Sequence, residues 1–332
     1  MTAPTISLVL GSGGARGYAH IGAIEELREQ GYDIRSVAGA SMGALVGGVY
    51  AAGKLDAYRD WVKPLQRMDV LRLLDWTFRG GLIKGDRIIA QLKNLIGDVN
   101  IEDLPISYTA VAVDLMAQRE VWFSRGSLFD AIRASIAIPT VLRPHRYEGR
   151  MLVDGGLLNP VPITPTLRDL TDCTIAIDVN AAAEAINQDG ALEPMSGSLI
   201  NEGDVEALPA AVDGATPLLA DEQPDAGPDP TSSQPPGYRQ RIAEFIDGFL
   251  DKRDKKAVEN DPGILELFAR SLDVVQETVT RFKLAAQPPD LVVRIPRNAC
   301  AFYEFHRASE VIELGRLRTR EALRQFRLPT KS

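Results

Sequence analysis

The chain is short of cysteine, of histidine and of long apolar runs. Only Cys173 and Cys300 are present, far apart and in no metal-ligand spacing. No disulfide framework is expected, and a reduced, intracellular setting is the simpler reading. Histidine occurs three times, as His20, His145 and His306, and no cluster of metal ligands forms, so neither metal nor other cofactor is expected. No apolar stretch approaches the roughly 18 residues of a spanning helix. The opening MTAPTISLVLGSGG lacks the basic and apolar regions of a secretory signal, and a cytoplasmic protein is expected. Lys and Arg are missing from Ala181 to Tyr238, where eleven acidic residues stand; setting these aside turns the net charge of −8 into +3. The acidity thus belongs to one segment. No basic stripe is left for nucleic acid, while the slightly basic remainder leaves room for peripheral contact with anionic lipid.

What is present is ordinary globular material. The 332 residues are 45% hydrophobic and 25% charged, enough for a core that needs no staple. The first 180 residues alternate strand and helix patterns. Short apolar runs at Ile6–Leu10 and Ile34–Gly39 read as buried strands, each followed by a helix, Tyr18–Gln30 and Met42–Ala52, with Gly31 placed as a helix C-cap. Further strands are expected at Tyr108–Val113, Glu120–Phe123, Arg150–Val153 and Thr174–Val179. Such alternation implies a mainly parallel sheet covered by helices. The stretch 181–237, rich in Ala, Asp, Glu, Pro, Gly and Ser, buries too little apolar surface to offset its ordering entropy and reads as a disordered insertion. Order resumes in 238–332. RIAEFIDGFL is followed by a helix with apolar residues Ile264, Leu267, Phe268, Leu272, Val275, Val279 and Phe282, then by the strand in PPDLVVRIP and an arginine-rich last helix. No internal repeat is found.

Three short segments carry the chemistry. GASMG, Gly39–Gly43, is a G-x-S-x-G between a strand and a helix, the context of a nucleophile elbow, in which a sharp turn lifts Ser41 out of the sheet. The helix that follows points its positive end at that serine. Read blandly, Ser41 is a helix N-cap. GSGGARG, Gly11–Gly17, follows the first strand. Its glycines let backbone N–H groups converge on a phosphate or on a developing oxyanion. A dinucleotide fingerprint would want an acid closing the second strand, where Ser36–Gly39 stand, and no GK[ST] follows, so an oxyanion hole with donors near Gly13, Gly14 and Ala15 is the better reading. Arg16 either braces this loop or senses a substrate phosphate. DGG, Asp154–Gly156, ends the strand MLV; alone it is an ordinary Asp-Gly turn.

In this order the three segments resemble those of the patatin-like phospholipases, including bacterial members and the catalytic domain of neuropathy target esterase. RASIAIPTVLRP (Arg133–Pro144), GLIKGDRI (Gly81–Ile88) and SLDVVQETVTRFKLAAQPPDLVV are similar as well. The resemblance spans nearly the whole chain outside the acidic insertion. It implies a three-layer α/β/α fold with a central, mostly parallel sheet, the site lying at the C-terminal strand ends. It further implies a Ser–Asp dyad without histidine: Ser41 as nucleophile, Asp154 as base, and the loop Gly13, Gly14, Ala15, Arg16 and Gly17 as oxyanion hole, with Gly39, Gly43, Gly155 and Gly156 shaping the turns. Two positions depart from the commoner family pattern: Ser12 stands for Gly, and Gly156 for the Ala of DGA.

The resemblance also implies a lipid or simple carboxylic ester as substrate, cleaved through an acyl-enzyme. An acyl chain needs an apolar groove, for which Leu71, Leu73, Leu74, Trp76, Phe78 and Leu82 are candidates, although ordinary core packing explains them as well. Arg316, Arg318, Arg320, Arg324 and Arg327 of the last helix fit either an anionic membrane or a solvated face paired with Glu310, Glu313 and Glu321. Two rivals remain. One is a Ser–Asp–His triad, for which the chain order Ser41, Asp154, His306 is suitable. The other is a non-enzymatic protein that holds a nucleotide or phosphate in GSGGARG.

Overall fold

The computed structural model describes residues 3–73, 83–184 and 264–328. The chain starts with β1 (Thr5–Leu10), a single 3-10 turn over Gly14–Tyr18, and α1 (Ala19–Glu29). It continues through β2 (Asp33–Ala40), α2 (Met42–Ala51), α3 (Leu55–Val62), α4 (Arg67–Leu73) and α5 (Asp86–Ile96). Then come β3 (Ser107–Asp114), β4 (Arg119–Phe123), α6 (Leu128–Ser135), β5 (His145–Tyr147), β6 (Arg150–Asp154) and β7 (Cys173–Ala181). The described chain ends with α7 (Ile264–Ala286), β8 (Leu291–Pro296) and α8 (Ala308–Gln325). All of it lies in one compact unit formed by Met1–Glu193 and Gly263–Ser332. The expected insertion lies outside the described residues from position 185 on, as does RIAEFIDGFL. Its first residues are placed: Ala181 closes β7, and Glu184 pairs with Arg318 of α8.

The sheet runs β5-β6-β3-β2-β1-β7-β8, with β4 also on β3. The five strands β3, β2, β1, β7 and β8 are mutually parallel; β4 and β6 run antiparallel to β3, and β5 antiparallel to β6. Alternate residues of a strand face opposite sides, and both sides are covered. Ile6, Leu8 and Leu10 of β1 join the main core with α1, α2, α6 and α8. Val9 and Ala176 face a smaller cluster with Val161, Ile163 and, from α7, Leu284. The architecture is therefore layered α/β/α on a mostly parallel sheet. The sequence pattern gives no strand at His145–Tyr147, which forms the three-residue β5 on β6, too short to show a period.

The arginine-rich last helix is tied inward. It meets α1 where both lack side chains: a Cβ at Gly315 would lie 2.0 Å from Ala19 O, and one at Gly22 1.8 Å from Ile312 O. Around this contact Arg316 pairs with Glu25 and Glu29, and Arg320 with Glu26. The Arg320 guanidinium holds the buried Glu26 carboxyl below its usual range. Arg318 is buried and pairs with Glu184 and Glu321. These three arginines fasten helix to fold, and of the glutamates expected along the helix Glu321 pairs with Arg318.

The route by which two distant residues reach one place lies in strand β3. On β3, Val111 pairs with Ala40 of β2, while the next residue, Ala112, pairs with Asp154 of β6. Strand β4 pairs residues 110–114 of β3, overlapping both partners. It must therefore occupy one edge while β2 and β6 share the other. Along that edge β2 runs parallel to β3 and β6 antiparallel, so their C-terminal ends meet head to head. The residue after β2 is Ser41; the residue ending β6 is Asp154.

Candidate active site

The elbow at Ser41 is strained, and it is built to stay so. Ser41 has φ 54° and ψ −122°, a backbone state that a non-glycine residue adopts at a cost of about 1–3 kcal/mol. Two glycines let the chain close around it. A Cβ at Gly39 would sit 2.4 Å from the Gly43 carbonyl, and one at Gly43 2.0 Å from Leu10 O. The Ser41 N–H donates to Ser135 Oγ at 2.9 Å, and Ser135 Oγ donates to Val111 O at 2.6 Å. Ser135, fully buried at the end of α6, thus pins the elbow to β3. Sequence reading did not single out Ser135, because nothing local marks the serine of RASIAIP as facing the elbow.

Ser41 Oγ donates to Asp154 Oδ2 at 2.5 Å, and Asp154 Oδ1 accepts the Gly156 N–H at 2.7 Å. The carboxylate is thereby oriented from both ends. It is 2% exposed, and burial pushes its pKa from the ordinary 3.8 up to about 7, against the two hydrogen bonds that favour the charged form. Gly155 is required by contact: a Cβ there would lie 2.0 Å from Val111 O.

The glycine loop faces the same cleft. Among the described residues the N–H groups of Gly13 and Gly14 donate to no acceptor, whereas Ala15 N–H is already bound to Phe302 O at 2.8 Å and Arg16 N–H to Gly13 O at 3.2 Å. Of these four loop amides, those of Gly13 and Gly14 are the uncommitted ones among the described residues. Arg16 is a brace: Nε reaches Gly13 O, one terminal nitrogen reaches Arg297 O, and the other pairs with Asp273 at 3.0 Å. All three guanidinium nitrogens are committed inside the protein, which leaves little for a phosphate.

A cleft opens beside the dyad pair. Ser41, Asp154, Gly13 and Gly14 line it, together with an apolar wall of Ile138, Val141, Phe268, Leu272 and Phe302. Of the groove candidates from the sequence, Leu71 and Leu73 are half-buried elsewhere, and Leu74, Trp76, Phe78 and Leu82 lie outside the described residues. The wall comes instead from the segment before β5, from α7 and from Phe302 after β8.

No histidine bonds to Ser41 or Asp154 among the described residues. His20 is fully buried, with Nε2 on Gly11 O at 2.8 Å, and burial lowers its pKa to about 4. His145 lies 3.2 Å from Asp130. His306 precedes the last helix and accepts from Arg67 at 3.2 Å. The triad therefore has no third member in place. Among the described residues no group of metal-ligating side chains is found, and no helix is long and apolar enough to cross a membrane.

Comparison with known proteins gives the family. Residues 8–167 match the family model "Patatin-like phospholipase". An uncharacterised NTE family protein of Mycobacterium tuberculosis is 42% identical over 98% of this chain and 93% of its own length. A patatin-like phospholipase domain-containing protein of Caenorhabditis elegans is 35% identical over 55% of this chain, which amounts to 14% of that protein. The neuropathy target esterase sws of Drosophila persimilis is 35% identical over 49% of this chain and 12% of its own length. The match thus covers the mycobacterial relative almost end to end and a small part of the two animal proteins. This chain belongs to the patatin-like phospholipase family, a family of lipid hydrolases.

Proposed function

We propose that the protein is a serine carboxylic-ester hydrolase acting on lipid esters (phospholipid, lysophospholipid or simple ester) through a Ser41–Asp154 dyad. The observation that carries this reading is the 2.5 Å hydrogen bond from Ser41 Oγ to a buried carboxylate, set on an elbow beside two uncommitted glycine amides. Ser41 Oγ attacks the ester carbonyl carbon while Asp154 takes its proton. The tetrahedral oxyanion is met by the N–H groups of Gly13 and Gly14, each such donor contributing about 3 kcal/mol at the transition state, and by the positive end of α2. Collapse expels the alcohol, which leaves with the proton from Asp154. Water then gives a proton to Asp154 and attacks the acyl-enzyme. The fatty acid departs, and Ser41 recovers its proton.

A fluorophosphonate probe tests the reading. It is expected to add one phosphonyl group to the peptide carrying Ser41, and labelling at any other serine would overturn the assignment. Ser135 is a positioning residue in this scheme. Ser135→Ala is expected to lower kcat about tenfold with KM nearly unchanged, since the loss falls on the elbow and not on the cleft wall. It also leaves a buried N–H and C=O unpaired, with a loss of roughly 1–3 kcal/mol in urea denaturation.

A further inference from the structure

We propose that Gln276 is a substrate-contacting donor whose side-chain NH2 binds an oxygen on the alcohol part of the ester held beside Ser41. The inference rests on the hydrolase reading above and goes beyond it to substrate class. Gln276 lies on α7, is 7% exposed, and lines the cleft with Ser41 and Asp154.

Its amide orientation follows from its neighbours. The Ser12 carbonyl can only accept, so the Asn180 atom 2.8 Å from it is Nδ2. The same NH2 reaches Gln276 at 3.1 Å, which makes the atom there Oε1, and Ser12 Oγ donates to that oxygen at 3.3 Å. With Oε1 holding two donors, Nε2 points away from them, and among the described residues it donates to nothing.

The space for this arrangement is made by Gly156. A Cβ at that position would lie 2.7 Å from Gln276 Nε2 and 2.7 Å from Ser12 Oγ. Ser12 and Gly156 are the two positions at which the sequence departs from the commoner family pattern, and both touch Gln276. The hydroxyl of Ser12 orients the amide, and the missing methyl of Gly156 admits it.

Elimination assigns the ligand. The acyl chain takes the apolar wall, and the carbonyl oxygen takes the Gly13 and Gly14 amides. Arg16 and Asp273, also at the cleft, pair with each other. Among the described residues, Gln276 Nε2 is then the uncommitted side-chain donor at the cleft for the alcohol part. An alcohol bearing a second oxygen, such as glycerol, can use it; a plain alkyl alcohol cannot.

The experiment compares the glycerol monoester and the ethyl ester of one fatty acid, using the full chain. In Gln276→Met the ratio of kcat/KM for the glycerol ester over the ethyl ester is expected to fall about tenfold or more, the worth of one lost hydrogen bond to a desolvated partner. Gln276→Glu keeps the accepting oxygen and replaces the donor, and it should show the same loss with the melting temperature retained. An unchanged ratio, or an equal fall for both esters in both variants, overturns the proposal. A wild type that is neither labelled at Ser41 nor active on either ester would instead bring down the hydrolase reading.

Discussion

Ser41→Ala is expected to reduce ester turnover by about 10^5-fold or more, the scale on which an enzyme loses its covalent nucleophile, and to abolish fluorophosphonate labelling. The fold should survive. The elbow is held by the Ser41 main chain, through its N–H on Ser135 Oγ and its carbonyl on the Leu45 N–H, and an alanine keeps both bonds. Circular dichroism and the melting curve check this half of the expectation. Retention of more than about 1% of wild-type turnover by a folded variant would mean that the 2.5 Å pair is structural.

Asp154→Asn is expected to lower kcat by about 10^3- to 10^4-fold, the upper range for loss of a positioned base. It should simultaneously raise stability above neutral pH. The sign follows from linkage. Burial raises the folded-state pKa of Asp154 to about 7 from an ordinary 3.8, so between these values the folded protein holds a proton that the unfolded chain has released. Stability from this group is fully present below about pH 4 and is lost as pH rises through about 7. Ionising the buried carboxyl costs on the order of a few kcal/mol; asparagine never ionises. Denaturation midpoints at pH 5 and pH 8 should show the variant gaining on the wild type at the higher pH. Activity of the wild type runs the opposite way, because the base must be ionised. At pH 5, two units below that pKa, kcat/KM is expected to fall about 100-fold from its plateau. A flat profile from pH 5 to pH 8 would assign the proton transfer to another group.

Much of this was legible in the chain itself. The positions of β1, β2, β3, β4, β6 and β7 and of α1 and α2 follow from short apolar runs and small-residue stretches, signals that reach only a few residues. The elbow is similarly local, since Gly39 and Gly43 stand within one turn of Ser41. Asp154 was different: its DGG reads as a turn until the resemblance to patatin-like phospholipases assigns it a role. The helix over Ile264–Ala286 shows where periodicity misled. Val275 and Phe282, counted as its apolar stripe, are exposed, whereas Gln276 and Thr280 are buried. The buried side of that helix faces a polar turn and a cleft, so polarity could not mark it.

By itself the sequence determined the strand–turn–helix units, the glycines without which the turns cannot close, and the family. Tertiary structure alone decided that β2 and β6 meet end to end on one edge of β3, that Ser135 ties the elbow down, that Ala15 and Arg16 turn inward, and that Gln276 reaches the cleft from 235 positions beyond Ser41. The physical reason is range. Backbone preferences act between near neighbours, whereas strand order and direction are settled by how the whole sheet buries its two faces, and only that packing brings distant side chains within bonding distance.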